Sequence, residues 1–255
     1  MRESGQTDAE LLAEWIDLRR EAAFRMLVTR YAGLVHSAAR RTSGDESVAS
    51  ETSQLVFILL ARKAGSLASR TSLAGWLHLT AVMQAKNLMR SNRRETRKRQ
   101  NLFAAMQPEP QPPSRDAWKE MQPVLDEALA ALSEKDREAL LLRFYRSLSI
   151  REIARMLGIA TDAAQKRVDR ATERLRGKLA RRGCHAGAAL SAAMLAGFAT
   201  DVQAAAPSVS LLTSQALAAS AATTSKTLLP TLLLMKTATL VSPAMALVIA
   251  GAWIG

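Results

Sequence analysis

Apolar residues recur every three or four positions along the first hundred residues of the chain, which is the spacing of one face of an α-helix. Four stretches show this spacing, at residues 11–18, 27–38, 55–60 and 73–88. A polar break at residues 42–45 separates the second stretch from the third. The pattern predicts a helical unit with one buried face on each helix.

A second group of helices is predicted between residues 133 and 180. Ser149 and Glu152 have the spacing of a capping box, in which cap and third helical residue satisfy each other's backbone N–H groups. The short helix that they begin is expected to end at Gly158, and Thr161 is expected to cap a longer helix. A short helix, a glycine turn and a longer helix predict a helix-turn-helix.

Two changes in composition divide the chain. Residues 107–114 hold four of the eight prolines, and proline has no backbone donor, so residues 106–116 are expected to form an extended linker. After Gly183 the only charged residues are Asp201, Lys226 and Lys236. We expect helical units at residues 8–105 and 117–183, followed by an Ala/Leu-rich extension at residues 184–255.

Composition favours an all-α fold and excludes several classes of site. Aromatic residues make up 4% of the 255 residues, and the formal net charge of +12 favours a polyanionic partner. With one cysteine and three well-separated histidines, we expect no disulfide, no metal site, no cofactor and no enzymatic activity. The N-terminus is polar and lacks the apolar core of a signal peptide, so we expect the first part of the chain to stay in the cytoplasm.

Basic residues cluster where they could contact nucleic acid. The longer helix of the helix-turn-helix offers a polar outer face, with the candidate duplex contacts Thr161, Gln165, Lys166, Arg167, Arg170 and Arg174. Six of the ten residues at positions 90–99 are basic and could hold phosphates. The candidate contacts to unpaired bases are Trp76, Arg90, Arg93, Arg94 and Arg97. The alternatives are a solvated helix end for the basic run and a core position for Trp76.

Several short segments resemble one family when they are taken in order. Residues 51–57 resemble an acidic-Gln-Val-Phe motif, and residues 73–77 with the basic run resemble a promoter-melting segment. Residues 132–137 and 153–159 resemble a −35-reading helix-turn-helix. Over about residues 8–182 the chain resembles sigma-70 factors of the extracytoplasmic-function (ECF) group.

The resemblance implies a binding protein that directs RNA polymerase to promoters. Its first unit would be sigma region 2 and its second unit sigma region 4. The implied partners are promoter DNA and core RNA polymerase, and the implied polymerase contacts are Glu51, Gln54, Leu55 and Phe57. Two positions depart from the family pattern: Ser50 stands where an acid is usual, and Gln165 stands where lysine is common. An anti-sigma factor is left open as a further partner.

Other readings of the same residues stay open. The chain could be a one-component helix-turn-helix regulator, with or without a membrane tether, or a scaffold whose basic half binds anionic lipid. The extension at residues 184–255 has three interpretations. Residues 237–255 could form a transmembrane helix that anchors the protein to the inner face of the membrane, preceded by Lys226 and Lys236. The extension could instead be disordered, or it could supply a helix that covers a groove of the helical units.

Overall fold

The structure is a computed structural model of the chain and describes residues 6–100, 117–185, 189–204 and 209–221. In these ranges all regular secondary structure is helical, which confirms the predicted all-α class. The helices are α1 (Asp8–Leu18), α2 (Glu21–Ser43), α3 (Glu46–Leu67), α4 (Ala74–Gln100), α5 (Ala117–Ala130), α6 (Glu134–Leu140), α7 (Ile150–Leu157), α8 (Thr161–Ala180), α9 (Leu190–Ala204) and α10 (Val209–Ala221). A π-helical turn, Leu141–Tyr145, continues α6. The predicted linker at residues 106–116 and the predicted membrane segment at residues 237–255 lie outside the described residues.

The centre of the first helical unit is α2, which packs against α1, α3 and α4. Phe24, Tyr31 and Leu34 of α2 are fully buried, and they belong to the same core as Phe57 of α3. Helix α2 ends where Gly44 adopts a left-handed φ of 70°, a conformation that glycine reaches without steric cost. This end coincides with the polar break predicted from the sequence.

Helices α7 and α8 form the predicted helix-turn-helix. The Ser149 hydroxyl accepts a hydrogen bond from the Glu152 N–H at 3.3 Å, and a Glu152 carboxylate oxygen accepts one from the Ser149 N–H at 2.8 Å. Gly158 ends α7 with a φ of 63°, and Ile159 packs against a small core shared by α6, α7 and α8. The capping box and the glycine stop are therefore confirmed.

The start of α8 differs from the prediction by one residue. Ala160 is the N-cap and makes no side-chain capping bond, and Thr161 is the first residue of the helix. The prediction that Thr161 caps α8 is wrong because the extended backbone that precedes a helix already falls at Ala160, with ψ of 149°. Thr161 is instead an exposed residue in the first turn.

The two helical units pack against each other and share one hydrophobic core. Arg137 of α6 is buried and donates from Nε to the backbone carbonyl of Gly75 in α4, at 3.1 Å. The Tyr145 hydroxyl accepts a hydrogen bond from the Leu34 N–H at 3.1 Å and donates one to the Arg30 carbonyl at 3.0 Å. These bonds fix the π-helical turn of the second unit against α2 of the first.

Part of the extension also joins this core. Leu190, Met194 and Phe198, four residues apart on α9, are fully buried, and α9 contacts α2, α5 and the π-helical turn. Residues 190–204 thus match the interpretation of a helix that covers a groove. Helix α9 has 15 residues. At roughly 1.5 Å per residue it extends about 22 Å, which is less than the ~30 Å of a bilayer core. Among the described residues, no helix combines the length and apolar character needed to cross a membrane.

Candidate nucleic-acid and polymerase interfaces

Helix α8 buries one side and carries a row of cations along its exposed surface. Ala164, Val168, Ala171 and Leu175 face the protein interior at helical spacing. Four cations that follow one exposed side of the helix, called the α8 outer face here, are Lys166, Arg167, Arg170 and Arg174. Three of them are exposed and Arg167 is half-buried, so the predicted cations come together on one solvent-facing surface.

Contacts within the protein orient some of these side chains. Arg174 forms an ion pair with Asp136 of α6, and the Arg170 Nε donates to the Lys166 carbonyl at 3.0 Å. Gln165 lies beside the α8 outer face rather than on it, and its amide donates to Asp169 at 2.7 Å. Gln165 must therefore exchange an internal hydrogen bond for any bond to a base.

Helix α7 adds two cations that were not among the predicted contacts. Arg151 and Arg155 are exposed and lie one helical turn apart. In helix-turn-helix proteins the first helix crosses the DNA backbone while the second enters the major groove. The four-residue spacing of these arginines in a short, capped helix was the signal that could have made them candidate phosphate contacts.

On α4, aromatic, apolar and basic side chains follow one line. This line, called the α4 stripe, comprises Trp76, Thr80, Met83, Asn87, Arg90 and Arg94. Trp76 is half-buried against the core, whereas Met83 is 55% exposed. The predicted contacts Trp76, Arg90 and Arg94 share this line, while Arg93 is exposed to one side of it. The side chain of Arg97 lies outside the described part of the chain.

The α4 stripe combines a ring with cations further along the helix. A ring can stack on any base and cations can follow the phosphates, so this arrangement suits single-stranded nucleic acid. The Thr80 hydroxyl donates to the Trp76 carbonyl at 2.7 Å, which leaves the hydroxyl turned back towards the helix. Met83 and Asn87 were not predicted, although they lie seven and eleven residues after Trp76 on the same helix face.

The third surface lies on α3. The four predicted polymerase contacts lie on two different sides of this helix. Glu51, Gln54 and Leu55 are half-exposed on one side of the helix, which continues through Ile58 and Arg62; these five residues are called the α3 face. Phe57 is on the opposite side and is fully buried in the core. Its side chain cannot touch a partner in this structure, because it packs inside the protein and supports α3 from beneath.

A cluster of buried polar side chains lies between the helical units. Arg41 binds Asp126 of α5 at 2.6 Å through Nε and Asp201 of α9 at 2.6 Å through Nη1, and the His78 Nε2 lies 2.9 Å from Asp126. We call these four residues the Arg41 cluster. Burial alone would raise the pKa of Asp126, but Arg41 and the hydrogen bond with His78 hold this pKa below its ordinary value. Burial raises the pKa of Asp201 despite the opposing charge of Arg41.

Both helical units match models of known protein families. Residues 27–95 match sigma-70 region 2, and residues 123–175 match sigma-70 region 4. The chain is 29% identical over 171 residues to the ECF RNA polymerase sigma factor SigM of Mycobacterium tuberculosis, covering 67% of this chain and 83% of SigM. It is 27% identical over 166 residues to the probable RNA polymerase sigma factor RfaY of Xanthomonas campestris pv. campestris, covering 64% of this chain and 42% of RfaY.

One solved structure is also similar in sequence. It is the sigma factor RpoE in complex with the anti-sigma factor NepR from Bartonella quintana. The match has 24% sequence identity and a TM-score of 0.29, and it covers 64% of this chain and 96% of the matched chain.

Two helical units that carry region 2 and region 4 in this order define a transcription-initiation factor, and the chain belongs to the sigma-70 family. Within this family it is an ECF sigma factor, which directs RNA polymerase to promoters. Its binding partners are core RNA polymerase and promoter DNA. The alternative of a one-component regulator is not favoured, because region 2 accounts for residues 27–95.

Proposed function

We propose that three surfaces of this sigma factor have separate binding roles in transcription initiation. The α8 outer face reads the duplex of the −35 element, and Arg151 and Arg155 of α7 hold the flanking phosphates. The α4 stripe captures unpaired bases of the −10 element. The α3 face binds core RNA polymerase. Capture of the single strand shifts the duplex towards the open bubble, because the protein binds the unpaired form better.

The observation that carries this proposal is the pairing of two different nucleic-acid surfaces on one chain. Cations without an aromatic residue line the α8 outer face, which suits a duplex groove. The α4 stripe places a half-buried tryptophan ahead of Arg90 and Arg94, which suits stacked single-stranded bases. A regulator that binds only duplex DNA does not need the α4 stripe.

We further propose that the protein acts by binding and not by catalysis, in the cytoplasm where RNA polymerase meets the chromosome. Its contribution would be the free energy of contacts made in the open complex. The polymerase would carry out all bond-forming chemistry.

Run-off transcription with the full chain, bacterial core polymerase and a promoter library tests these assignments. Arg167→Ala with Arg170→Ala should reduce initiation at the selected promoters and weaken binding to their −35 duplex. An arginine that contacts a guanine edge contributes about 1–3 kcal/mol, so the duplex affinity should fall at least tenfold. Trp76→Ala should reduce initiation but leave affinity for the −35 duplex unchanged.

A charge-matched control separates these effects from loss of net charge. Lys119→Ala with Lys135→Ala removes two exposed cations outside the three surfaces, and it should leave start-site selection unchanged. Equal losses in both double variants would show that net charge alone drives binding. Duplex binding without any core-dependent start site would remove the sigma-factor mechanism.

A further inference from the structure

The groove between the two helical units is filled by α9, a helix from outside both sigma regions. Leu190, Met194 and Phe198 anchor one face of α9 in the shared core. The Phe198 ring packs edge-on against Trp118 of α5 and against Tyr145 of the π-helical turn, with centroids 5.5 and 6.0 Å apart. Helix α9 therefore contacts parts of the second unit while it lies on α2 of the first.

The fit between α9 and α2 depends on a glycine. A Cβ added to Gly33 of α2 would lie 2.4 Å from the backbone oxygen of Asp201 and 2.9 Å from the Cα of Val202. Backbone atoms cannot rotate away from such a clash as a flexible side chain can. Gly33 thus permits an approach of α9 that no other residue would allow.

A buried ion pair fixes α9 at the same point. Asp201 is the only acidic residue in the sequence after Gly183, and its carboxylate binds Arg41. The Arg41 side chain is 8% exposed and also binds Asp126 of α5. Its guanidinium lies 5.5 Å from the Trp118 ring and 5.8 Å from the Phe198 ring. One cation therefore joins α2, α5 and α9, which come from region 2, the second unit and the extension.

This closed arrangement is too small to read both promoter elements. Elements centred near −35 and −10 lie roughly 25 base pairs apart, which is about 85 Å of duplex at ~3.4 Å per base pair. A compact unit of about 200 residues has a radius of gyration of roughly 16 Å. Because Arg137 of α6 binds Gly75 of α4 directly, the helix before the helix-turn-helix touches the helix that carries the α4 stripe. Promoter engagement requires these helices to separate.

We propose that α9 is an intramolecular inhibitory helix that occupies the groove between region 2 and region 4 and keeps the sigma factor closed until polymerase binds. The Arg41–Asp201 pair and the Gly33 contact hold it there. This inference rests on the proposed function, because closure matters only for a protein that must span two promoter elements. Core polymerase opens the chain by binding the open form more tightly, and its apparent affinity is lowered by the fraction of closed molecules.

Two single substitutions in the full chain test the proposal from opposite sides of the contact. Gly33→Ala should displace α9 by its clash, and alanine should not weaken α2 itself because it favours the helix over glycine. Asp201→Asn should remove the charge that binds Arg41, which retains Asp126 as its partner. Gly65→Ala and Asp17→Asn are the matched controls, since Gly65 has no atom within 4 Å of an added Cβ and Asp17 is exposed.

Two measurements are needed for each variant. Hydrogen exchange of the amides in residues 190–204 reports whether α9 is seated, and run-off transcription at limiting sigma factor reports opening. Both test variants should exchange these amides about tenfold faster or more, and should reach half-maximal transcription at about one tenth of the wild-type concentration. The matched controls should behave as the wild type does. Affinity for the −35 duplex alone should not change, because the α8 outer face is already accessible in the closed form.

The outcomes distinguish the inhibitory helix from the proposed function. Faster exchange in α9 without a gain in transcription would overturn inhibition, and unchanged exchange would overturn the role of these contacts in seating α9. If neither wild type nor variants initiate transcription with core polymerase, the proposed function fails and the inhibitory role fails with it.

Discussion

Replacing Ser147 by glycine should stabilise the folded protein. Ser147 lies in the turn that leads into α7 and has a left-handed φ of 52°. This conformation costs a residue with a side chain about 1–2 kcal/mol, whereas glycine adopts it freely. Glycine also makes the unfolded chain more flexible, which offsets about 0.4–1 kcal/mol of the gain. The net increase in the free energy of unfolding should be about 0.5–1 kcal/mol.

Urea unfolding followed by circular dichroism measures this difference, and the melting temperature gives a second estimate. For a cooperative unit of about 150–250 residues, about 1 kcal/mol corresponds to roughly 2–4 °C in Tm. We therefore expect Ser147→Gly to raise Tm by about 1–4 °C. The urea m-value should stay unchanged, because the surface exposed on unfolding is the same.

Two reference variants make the result interpretable. Ser50 occupies an exposed position inside α3. Ser50→Gly should lower stability by about 0.5 kcal/mol, because glycine is the weaker helix former. Gly158→Ala forces alanine into a φ of 63°. This left-handed conformation should lower the stability of the alanine variant by about 1–2 kcal/mol. If Ser147→Gly is as destabilising as Ser50→Gly, the left-handed conformation of Ser147 carries no cost and the reasoning is refuted.

Four further substitutions test other parts of the structure. Phe57→Ala should lower the free energy of unfolding by about 3–5 kcal/mol because it empties a buried site. Leu55→Ala should lower it by less while reducing affinity for core polymerase, and equal stability losses would contradict the division of α3 into two sides. Trp76→Ala should weaken binding to a single-stranded −10 oligonucleotide by about 1–3 kcal/mol in a fluorescence titration, and an unchanged affinity would assign Trp76 to the core alone. The difference in free energy of unfolding between wild type and Asp126→Asn should have its full size above about pH 4. It should shrink as the pH falls through the lowered pKa of Asp126 in the folded protein, because the carboxyl of the unfolded chain binds its proton first. Measuring the free energy of unfolding of both proteins at decreasing pH checks this. A difference that grows as the pH falls would contradict the expected direction.

The helix-turn-helix was predictable because its signals are local. Ser149 and Glu152 are three residues apart, and Gly158 follows within one short helix. Side chains at that distance meet whenever the helix forms, so sequence spacing alone identifies the contacts. The wrong prediction at Thr161 is also local, because it differs from the structure by one residue. Both Ala160 and Thr161 could be the N-cap of α8, and the backbone of the preceding turn decides between them.

The contacts between units were not predictable by the same reasoning. Arg41 binds carboxylates 85 and 160 residues further along the chain, and periodicity says which face of a helix is buried but not which helix covers it. Phe57 shows this limit within one motif. The resemblance grouped it with Glu51 and Gln54 as a polymerase contact, whereas helical geometry places it on the opposite side of α3.

The position of the Tyr145 hydroxyl has a consequence for the way the two units can part. In a regular α-helix the Leu34 N–H pairs with the Arg30 carbonyl four residues earlier. These are the same two groups that the Tyr145 hydroxyl contacts, so each of them has a possible partner within α2 itself. When the π-helical turn moves away, the Leu34 N–H and the Arg30 carbonyl can pair with each other, and neither is left without a hydrogen bond. The interface can therefore open without leaving a buried backbone group unpaired, although a polar contact lies at its centre. A buried hydrogen bond whose groups had no other partner would oppose this opening.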